Sequence, residues 1–284
     1  MSTTTLRALS QSEIAPRYEI TTNESWGTYH PSALQRLLIL IARNSFLHRG
    51  KFRHRITNLI AKLQSPIDVE FRNCRYRIDG KNNLAEYGLL LNPLFNQPEI
   101  DFLIDGLPQG GVAVDIGSNI GLYSLPMALK CGPKGRVVAI DANPGMMDRL
   151  AENARLSGLP QIKPVCAAVG DHDGKVDLFI RKDDVAIVNV KESDQGLIPM
   201  RKLMSIIEEE HIDRIDVLKI DIEGYEDAAL VPFFAMASEA LMPNRIVIER
   251  GGPDGSYQGC RKAFLKNGYQ LIGNTRCNQM FMRA

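Results

Sequence analysis

The stretch Val112-Ala-Val-Asp-Ile-Gly-Ser-Asn-Ile-Gly121 decides the fold of this chain. It predicts a short apolar strand that ends in Asp115, followed by a turn through two glycines into a helix beginning near Leu122. A second apolar run, Val137-Val-Ala-Ile-Asp141, ends in another acid 20 residues after Gly121. This β-turn-α-β pattern is typical of sites that bind nucleotide-like ligands. Glycine admits a ligand close to the backbone, and the second acid can accept hydrogen bonds from a ribose.

The residues of the turn favour one nucleoside over another. A dinucleotide site needs G-x-G-x-x-G, and here Asn119 stands where the second glycine would let the pyrophosphate approach. Asp115 would add negative charge beside the phosphates, whereas it suits the zwitterionic amino-acid end of S-adenosylmethionine. The turn therefore predicts S-adenosylmethionine, and an NAD-dependent oxidoreductase is kept as the alternative.

Composition sets the broad limits. The chain has 284 residues, 44% of them hydrophobic, which is enough for one sizeable core, and a net charge of +1 gives no indication of a nucleic-acid partner. The five cysteines form no C-x-x-C, which argues against structural zinc and for a reducing compartment. We see no signal peptide, and the longest apolar run near the start is too short to span a bilayer, so we expect a cytoplasmic protein.

The N-terminal part, residues 1–63, is predicted to be a loosely ordered tail to residue 30 and then a basic helical arm. Between Ser25 and Ile67 there is no acid, but there are seven basic residues: Arg36, Arg43, Arg49, Lys51, Arg53, Arg55 and Lys62. Helical spacing places four apolar residues on one side of the first helix, namely Leu34, Leu37, Leu38 and Ile41. We expect this stripe to pack on the core. The alternatives are peripheral contact of residues 31–63 with an anionic inner-membrane surface, and a homodimer. A non-catalytic membrane-surface module that uses this basic arm is a further alternative for the function of the whole chain.

The rest of the chain predicts a bridge, residues 64–111, and an α/β core, residues 112–284. The bridge reads as a hairpin around Asn73 and two helices, with Glu86 and Tyr87 at the surface. In the core we expect a strand over 162–169, a mobile polar loop over 182–200, a strand ending at Asp221, a strand ending at Glu249 and a terminal hairpin. Parallel strands joined by helices predict a doubly wound sheet.

Acidic residues end several of the predicted strands, and in an open α/β sheet these ends meet where the ligand binds. We expect Asp221 to be the base or the group that orients a substrate hydroxyl, with Glu223 and Glu249 as the next candidates. The alternatives are a helix N-terminal cap or an ion pair for Glu223, and an ion pair with Arg245 or Arg250 for Glu249. Asp141, Asp221 and Glu249 could together hold Mg²⁺, but because a ribose would occupy Asp141 we predict no metal.

Four blocks of sequence resemble the FkbM family of S-adenosylmethionine-dependent methyltransferases, in the family's order and spacing. They are Val114-Asp-Ile-Gly-Ser-Asn-Ile-Gly-Leu-Tyr-Ser124, Ala139-Ile-Asp-Ala-Asn-Pro144, Ala167-Ala-Val-Gly-Asp171 and Val217-Leu-Lys-Ile-Asp-Ile-Glu-Gly-Tyr-Glu226. The resemblance implies a class I methyltransferase fold, Rossmann-like, with a mostly parallel seven-stranded sheet. It also implies O-methylation of a hydroxyl on a saccharide, glycolipid or related natural product.

The resemblance also assigns residues to the cofactor. The methionine end would be held by Asp115, Gly117, Asn119 and Gly121. Asp141 would take the ribose, with Asn143 at the helix start beside it, and the adenine would lie near Val169, Gly170 and Asp171. The family commonly has Glu-Pro where Asp141 and Ala142 stand.

Overall fold

The structure is a computed structural model that describes residues 6–8, 23–80, 83–181, 188–251 and 257–284. Its strands are β1 Leu6–Ala8, β2 Ile67–Phe71, β3 Cys74–Ile78, β4 Val112–Ile116, β5 Arg136–Asp141, β6 Ile162–Cys166, β7 Ala168–Gly170, β8 Gly174–Arg181, β9 Val188–Glu192, β10 Ile198–Lys202, β11 Val217–Ile220, β12 Arg245–Glu249, β13 Tyr269–Asn274 and β14 Asn278–Arg283. Its α-helices are α1 Ala33–Arg43, α2 Gly50–Leu63, α3 Leu84–Leu91, α4 Gln97–Gly106, α5 Ser124–Cys131, α6 Pro144–Ser157, α7 Leu203–Glu209, α8 Glu226–Met236 and α9 Gln258–Lys266. Short 3₁₀ turns occupy Phe46–His48 and Glu239–Leu241.

A seven-stranded sheet forms the centre, in the order β13-β14-β12-β11-β4-β5-β6. The five strands from β12 to β6 are parallel, and the terminal hairpin adds two antiparallel strands. All four residues of β11 are buried, which is typical of a parallel strand covered by helices on both faces. The predicted doubly wound, mostly parallel sheet is confirmed.

Two apolar clusters cover the two faces of this sheet, which is why it is doubly wound. One cluster joins the central strands to α3–α6 and the β2–β3 hairpin, and the other joins them to α7–α9. The helix after the glycine turn begins at Ser124, two residues later than expected. The α6 helix begins at Pro144, after Asn143, whose side chain accepts the amide of Gly145.

A second sheet, in the order β1-β8-β10-β7 with β9 paired to β8, was not expected. The predicted third core strand over 162–169 is therefore wrong in its second half, because the chain leaves the main sheet after Cys166 and β7 pairs with β10. The predicted polar loop over 182–200 is also wrong in part, since β9 and most of β10 lie within it. Residues 182–187 of that loop lie outside the described residues.

A buried ionic centre ties the segment before α1 to the hairpin and α6. The guanidinium of Arg77 donates to both carboxylate oxygens of Asp68, at 2.8 and 3.1 Å, and to Glu152 at 2.9 Å. It also donates to the carbonyls of Glu24 and Ser25, at 3.2 and 2.9 Å. The expectation of a loose tail is thus wrong for residues 23–30, while most of residues 1–22 lie outside the described part of the chain.

The helical arm is present, but its predicted orientation is wrong for three of the four residues of the apolar stripe. In α1 the buried residues are Gln35, Ile39 and Ala42, whereas Leu34, Leu37 and Ile41 are 52%, 51% and 47% exposed. Leu38, the fourth residue of the stripe, is partly buried and packs against the core as expected. Gln35 faces inward because its side-chain amide donates to the carbonyls of Ile60 and Gln64 on α2, which places the apolar stripe outward. Of the helices described, none is both long enough and apolar enough to cross a bilayer.

The bridge differs from its prediction in one respect. Its hairpin turns at Arg72 and Asn73, both with positive φ, and its two helices lie where the sequence places them. Glu86 and Tyr87, however, are buried and not at the surface. Glu86 forms an ion pair with Arg149 of α6 and accepts the amide of Gly80 at 2.6 Å, so burial leaves its charge compensated.

Candidate active site

A pocket opens at the carboxyl edge of the parallel strands, between the tips of β4, β5 and β11. Its volume is about 520 Å³, including space open to solvent. The residues that line it are Ile116, Gly117, Ile140, Asp141, Ala142, Ala167, Ala168, Val169, Asp221, Ile222, Glu223 and Tyr225. Open α/β sheets bind their ligands at this edge.

The floor of the pocket is the turn after β4, where Gly117 has φ +74°. A Cβ at this position would lie 1.9 Å from the carbonyl oxygen of Asp221, so the tips of β4 and β11 can approach each other only with glycine here. The amides of Gly117 and Ser118 both donate to the carbonyl of Ile140, at 2.8 and 3.0 Å, and these bonds fix the turn against β5.

Replacing Gly117 by alanine should lower the free energy of unfolding by about 2 kcal/mol more than Gly158→Ala does. Both glycines have positive φ, but the Cβ of residue 158 would enter open space, so the difference isolates the clash with Asp221. Urea unfolding followed by circular dichroism measures both losses. Equal losses in the two variants would show that the close approach of β4 and β11 does not constrain residue 117.

Asp141 is the acid at the tip of β5. Its carboxylate accepts the amide of Asn119 at 2.8 Å and the amide of Asn143 at 2.8 Å. Burial raises the pKa of the Asp141 carboxyl, and these two amides and Lys219 act in the opposite direction. Each carboxylate oxygen has further acceptor capacity beyond one amide, which two adjacent hydroxyls of a ribose can use.

Two buried polar side chains beside this acid have unused hydrogen-bonding capacity. The hydroxyl of Ser118 and the side-chain nitrogen of Asn143 have no hydrogen-bond partner among the described residues, although Ser118 is 3% exposed and Asn143 2%. A buried unpaired donor costs about 1–3 kcal/mol, although neither residue is among those that line the pocket. The fit to a nucleoside therefore rests on the carboxylate of Asp141, which does line it.

Asp115 lies beneath the turn and does not line the pocket. It is fully buried, accepts the hydroxyl of Ser124 at 2.5 Å and has the ammonium of Lys219 at 3.6 Å. Burial raises the pKa of Asp115, and Lys219 and Ser124 oppose that shift. Lys219 also donates to the carbonyls of Ile116 and Gly117, at 3.3 and 2.7 Å, so this ion pair supports the turn from below.

Asn119 and Gly121 shape the rest of the turn, both with positive φ. The side-chain oxygen of Asn119 accepts the amide of Ile120 at 2.8 Å and the side-chain amide of Asn83 at 3.2 Å. Asn119 thus adopts a left-handed conformation that glycine usually supplies, and its side chain joins the turn to the start of α3.

The three residues expected near the adenine are separated by the structure. Val169 lines the pocket, whereas Gly170 packs against Met200 of the second sheet. Asp171 is exposed, and its carboxylate lies 2.7 Å from Nδ1 of His172, which holds the pKa of Asp171 below its usual range. The structure therefore brings one of these three side chains into the pocket.

The three expected catalytic acids come together. Oxygen atoms of Asp221, Glu223 and Glu249 lie within 4.8 Å of one another, and Asp141 is not part of this group. Burial, together with repulsion by Asp221 and a hydrogen bond that the protonated Glu249 donates to Asp221, raises the pKa of Glu249 to about 9. At neutral pH the cluster therefore retains a proton that isolated carboxylates would have lost.

The helix cap suggested for Glu223 is supplied by a neighbouring glutamate. Glu226 accepts the amides of Ile222 and Gly224 before α8, each at 2.9 Å. The guanidinium groups expected beside Glu249 donate elsewhere: Arg245 to the carbonyl of Phe102 at 2.6 Å, and Arg250 to that of Thr275 at 3.4 Å. Among the described residues, neither of these two arginines is paired with Glu249.

Sequence reasoning missed several residues of the pocket. Tyr225 and Ile222 follow the strand-end acid closely enough that the turn from β11 into α8 could have indicated them. The small residues Ala142, Ala167 and Ala168 also line the pocket. Nothing in a run of alanines distinguishes a pocket wall from core, so these three carried no usable signal.

Comparison with known proteins gives the family. The model of the methyltransferase FkbM domain matches residues 115–271, which includes the turn, Asp141, the acidic cluster and α9. Among solved structures, TYW2 from M. jannaschii in complex with AdoMet is 16% identical, with a TM-score of 0.42 over 77% of this chain and 86% of that one. An S-adenosylmethionine-dependent O-methyltransferase from Thermotoga maritima is 13% identical, with a TM-score of 0.40 over 66% of this chain and 65% of that one.

The match covers more than half of the chain, and the sheet order and pocket described above agree with it. The cofactor of such a methyltransferase is S-adenosylmethionine, as the turn after β4 predicts. The chain belongs to the FkbM family of methyltransferases.

Proposed function

We propose that the chain is an O-methyltransferase that methylates a hydroxyl of a saccharide, a glycolipid or a related natural product. The observation that carries this proposal is the cluster of Asp221, Glu223 and Glu249 at the pocket edge. A hydroxyl is a poor nucleophile until it begins to lose its proton, so O-methylation needs a proton acceptor beside the methyl donor. An NAD-dependent oxidoreductase is no longer supported, given the family and the side chain at position 119.

We assign the cofactor to the turn after β4 and to the tip of β5. Gly117, Asn119 and Gly121 would receive the methionine end, with Asp115 acting through Lys219 from below. Asp141 would hold the ribose, and Ser118 and Asn143 offer donors that are otherwise unpaired. Val169 would contact the adenine, with Gly170 and Asp171 farther out.

The reaction then follows from simple chemistry. S-adenosylmethionine supplies an electrophilic methyl group on a sulfonium and leaves as a neutral thioether. The acidic cluster orients the acceptor hydroxyl, and Asp221 accepts its proton while the oxygen forms the new bond to carbon. Glu249 retains its own proton at neutral pH and hydrogen-bonds to Asp221, which keeps the two acids from repelling each other. Their negative charge also favours a cationic sulfonium nearby.

Because this mechanism uses a carboxylate as the base, removing divalent metal should leave the rate within about twofold. Glu249 holds a proton at neutral pH and is then a poor metal ligand, since metals bind the ionised form. The measurement is methyl transfer after dialysis against EDTA, with and without added Mg²⁺. If the rate disappeared with EDTA and returned with Mg²⁺, the acceptor hydroxyl would be activated by a metal ion and not by a carboxylate base.

The function is tested with S-adenosylmethionine labelled in its methyl group and a panel of acceptors. The panel contains free saccharides, lipid-linked saccharides, polyketide-type alcohols, RNA and a protein extract. We expect label only in hydroxyl-bearing small molecules or glycans, at oxygen, as located by mass spectrometry. Transfer to nitrogen, to carbon or to RNA would contradict the proposal.

A further inference from the structure

The outer side of the helical arm is apolar to an unusual degree for an exposed surface. Eight large apolar side chains there are each 45–65% exposed: Leu34, Leu37, Leu40 and Ile41 on α1, Phe46 in the turn that follows, and Phe52, Leu59 and Leu63 on α2. We call these eight residues the arm surface. Contiguous exposed apolar area of this kind marks a site of interaction with another molecule or a membrane.

The charge around the arm surface has one sign. Arg36, Arg49, Arg55 and Lys62 are exposed on the same two helices and their connecting turn, and no acid occurs from Ser25 to Ile67. A partner must therefore offer apolar area and negative charge together.

The turn between the two helices combines both properties in one place. The rings of Phe46 and Phe52 meet edge to face with their centroids 5.1 Å apart, and an open groove beside them is lined by these rings, Gly50 and the side chains of Arg49 and Arg55. Aromatic rings flanked by arginine suit the boundary between acyl chains and anionic headgroups.

We propose that the arm surface docks on an anionic membrane. An anionic bilayer supplies apolar depth for the eight side chains and negative charge for the four exposed basic residues. A second copy of the chain fits less well, because pairing two arms would bring two basic rims together without an acid to compensate either.

The docked arm would hold the site of reaction close to the membrane. The arm would thereby bring the site within reach of an acceptor that is itself held in the membrane. The ring of His54 on α2 packs against Tyr87 of α3, with centroids 4.9 Å apart, and the side chain of Asn83 at the start of α3 contacts Asn119 of the cofactor turn. These two contacts, joined by α3, connect the arm to the turn after β4. In so far as the chain is a saccharide O-methyltransferase, the acceptor class is a lipid-linked saccharide.

The test is co-sedimentation of the full chain with phosphatidylcholine vesicles, with and without about 30 mol% phosphatidylglycerol. We expect binding to the anionic vesicles that weakens at high salt. Leu37→Ser with Ile41→Ser, and separately Arg49→Gln with Arg55→Gln, should each reduce the vesicle affinity at least tenfold. The matched controls lie on α9 and are Leu265→Ser and, separately, Arg261→Gln with Lys262→Gln. These residues are also exposed, and their substitution should leave the vesicle affinity unchanged.

Light scattering and a cofactor titration complete the experiment. Absence of binding to anionic vesicles, or equal loss in the α9 controls, would overturn the docking proposal. The docking proposal would also be overturned if light scattering showed a dimer that the arm substitutions dissociate, since a second copy of the chain would then cover the arm surface. Methyl transfer to a soluble acceptor tests the proposed function separately, because the arm variants should retain both that transfer and their affinity for S-adenosylmethionine.

Discussion

Replacing Asp141 by alanine should weaken the binding of S-adenosylmethionine by more than about a thousandfold. In the proposed complex the carboxylate accepts two charge-assisted hydrogen bonds from the ribose, each contributing about 1.5–3 kcal/mol. The substitution also removes the acceptor for the amides of Asn119 and Asn143, so the turn loses the contacts that hold its shape. Isothermal titration calorimetry with the cofactor measures the loss.

Two further variants separate this role from a general loss of structure. Asp141→Glu keeps a carboxylate at the tip of β5 and should bind within about tenfold of the wild type. Asp148→Ala removes an exposed carboxylate from the neighbouring helix and should bind normally. If Asp141→Ala kept its fold and still bound the cofactor tightly, the ribose would not lie at the tip of β5.

Asp221→Asn should reduce the rate of methyl transfer by about a thousandfold while leaving the cofactor affinity within a few-fold. Asparagine keeps the size of the side chain but cannot accept the proton that the hydroxyl releases. Single-turnover kinetics with labelled cofactor separates this step from binding.

Replacing Glu249 by glutamine should raise the melting temperature above neutral pH. The pKa of Glu249 is about 9 in the folded chain and near its ordinary 4.5 when unfolded, so its folded form binds more protons between these values. Stability from this group is complete below pH 4.5 and declines as the pH rises towards 9. Glutamine removes the decline, and we expect a gain of about 3 °C or more at pH 8.5 that disappears near pH 4.5.

Glu208→Gln is the matched control, since Glu208 is an exposed glutamate on α7. It should change neither the rate nor the melting temperature. An Asp221→Asn variant that methylates at the wild-type rate would remove Asp221 from the mechanism. A Glu249→Gln variant that is less stable at pH 8.5 would show that the Glu249 carboxyl is ionised in the folded protein.

The sheet and its acidic edge could be predicted from sequence because both depend on local patterns. Each core strand is an apolar run bounded by turn residues, and parallel strands place their carboxyl ends on one edge. Asp141, Asp221 and Glu249 follow directly from that rule. The turn at Arg72 and Asn73 could be located for a similar reason, because alternation on both sides of Asn73 indicates a hairpin.

The second sheet and the buried ion pairs could not be predicted, because they depend on residues far apart in the chain. The pairing of Ala168 with Met200 decides where β7 lies, and no local pattern reports it. Glu86 is a charged residue that would normally stay at the surface, and its burial is explained only by Arg149, 63 residues later (149 − 86).

The orientation of α1 shows a different limit. Helical periodicity identified an apolar stripe but could not show whether the stripe faces the core. Gln35 reverses the expected orientation, because its amide satisfies two carbonyls at the end of α2 and so faces inward. The buried side of α1 thus contains a hydrogen-bonded glutamine where the pattern predicts leucine. This depends on contacts with another helix, which the composition of the segment does not reveal.

The most direct test of the whole account is a crystal structure with S-adenosylhomocysteine and a saccharide acceptor. We predict the ribose hydroxyls on the carboxylate of Asp141 and the acceptor hydroxyl between the sulfur and the oxygens of Asp221, Glu223 and Glu249. A nucleoside bound away from the tips of β4 and β5, or an acceptor hydroxyl out of reach of the acidic cluster, would contradict it.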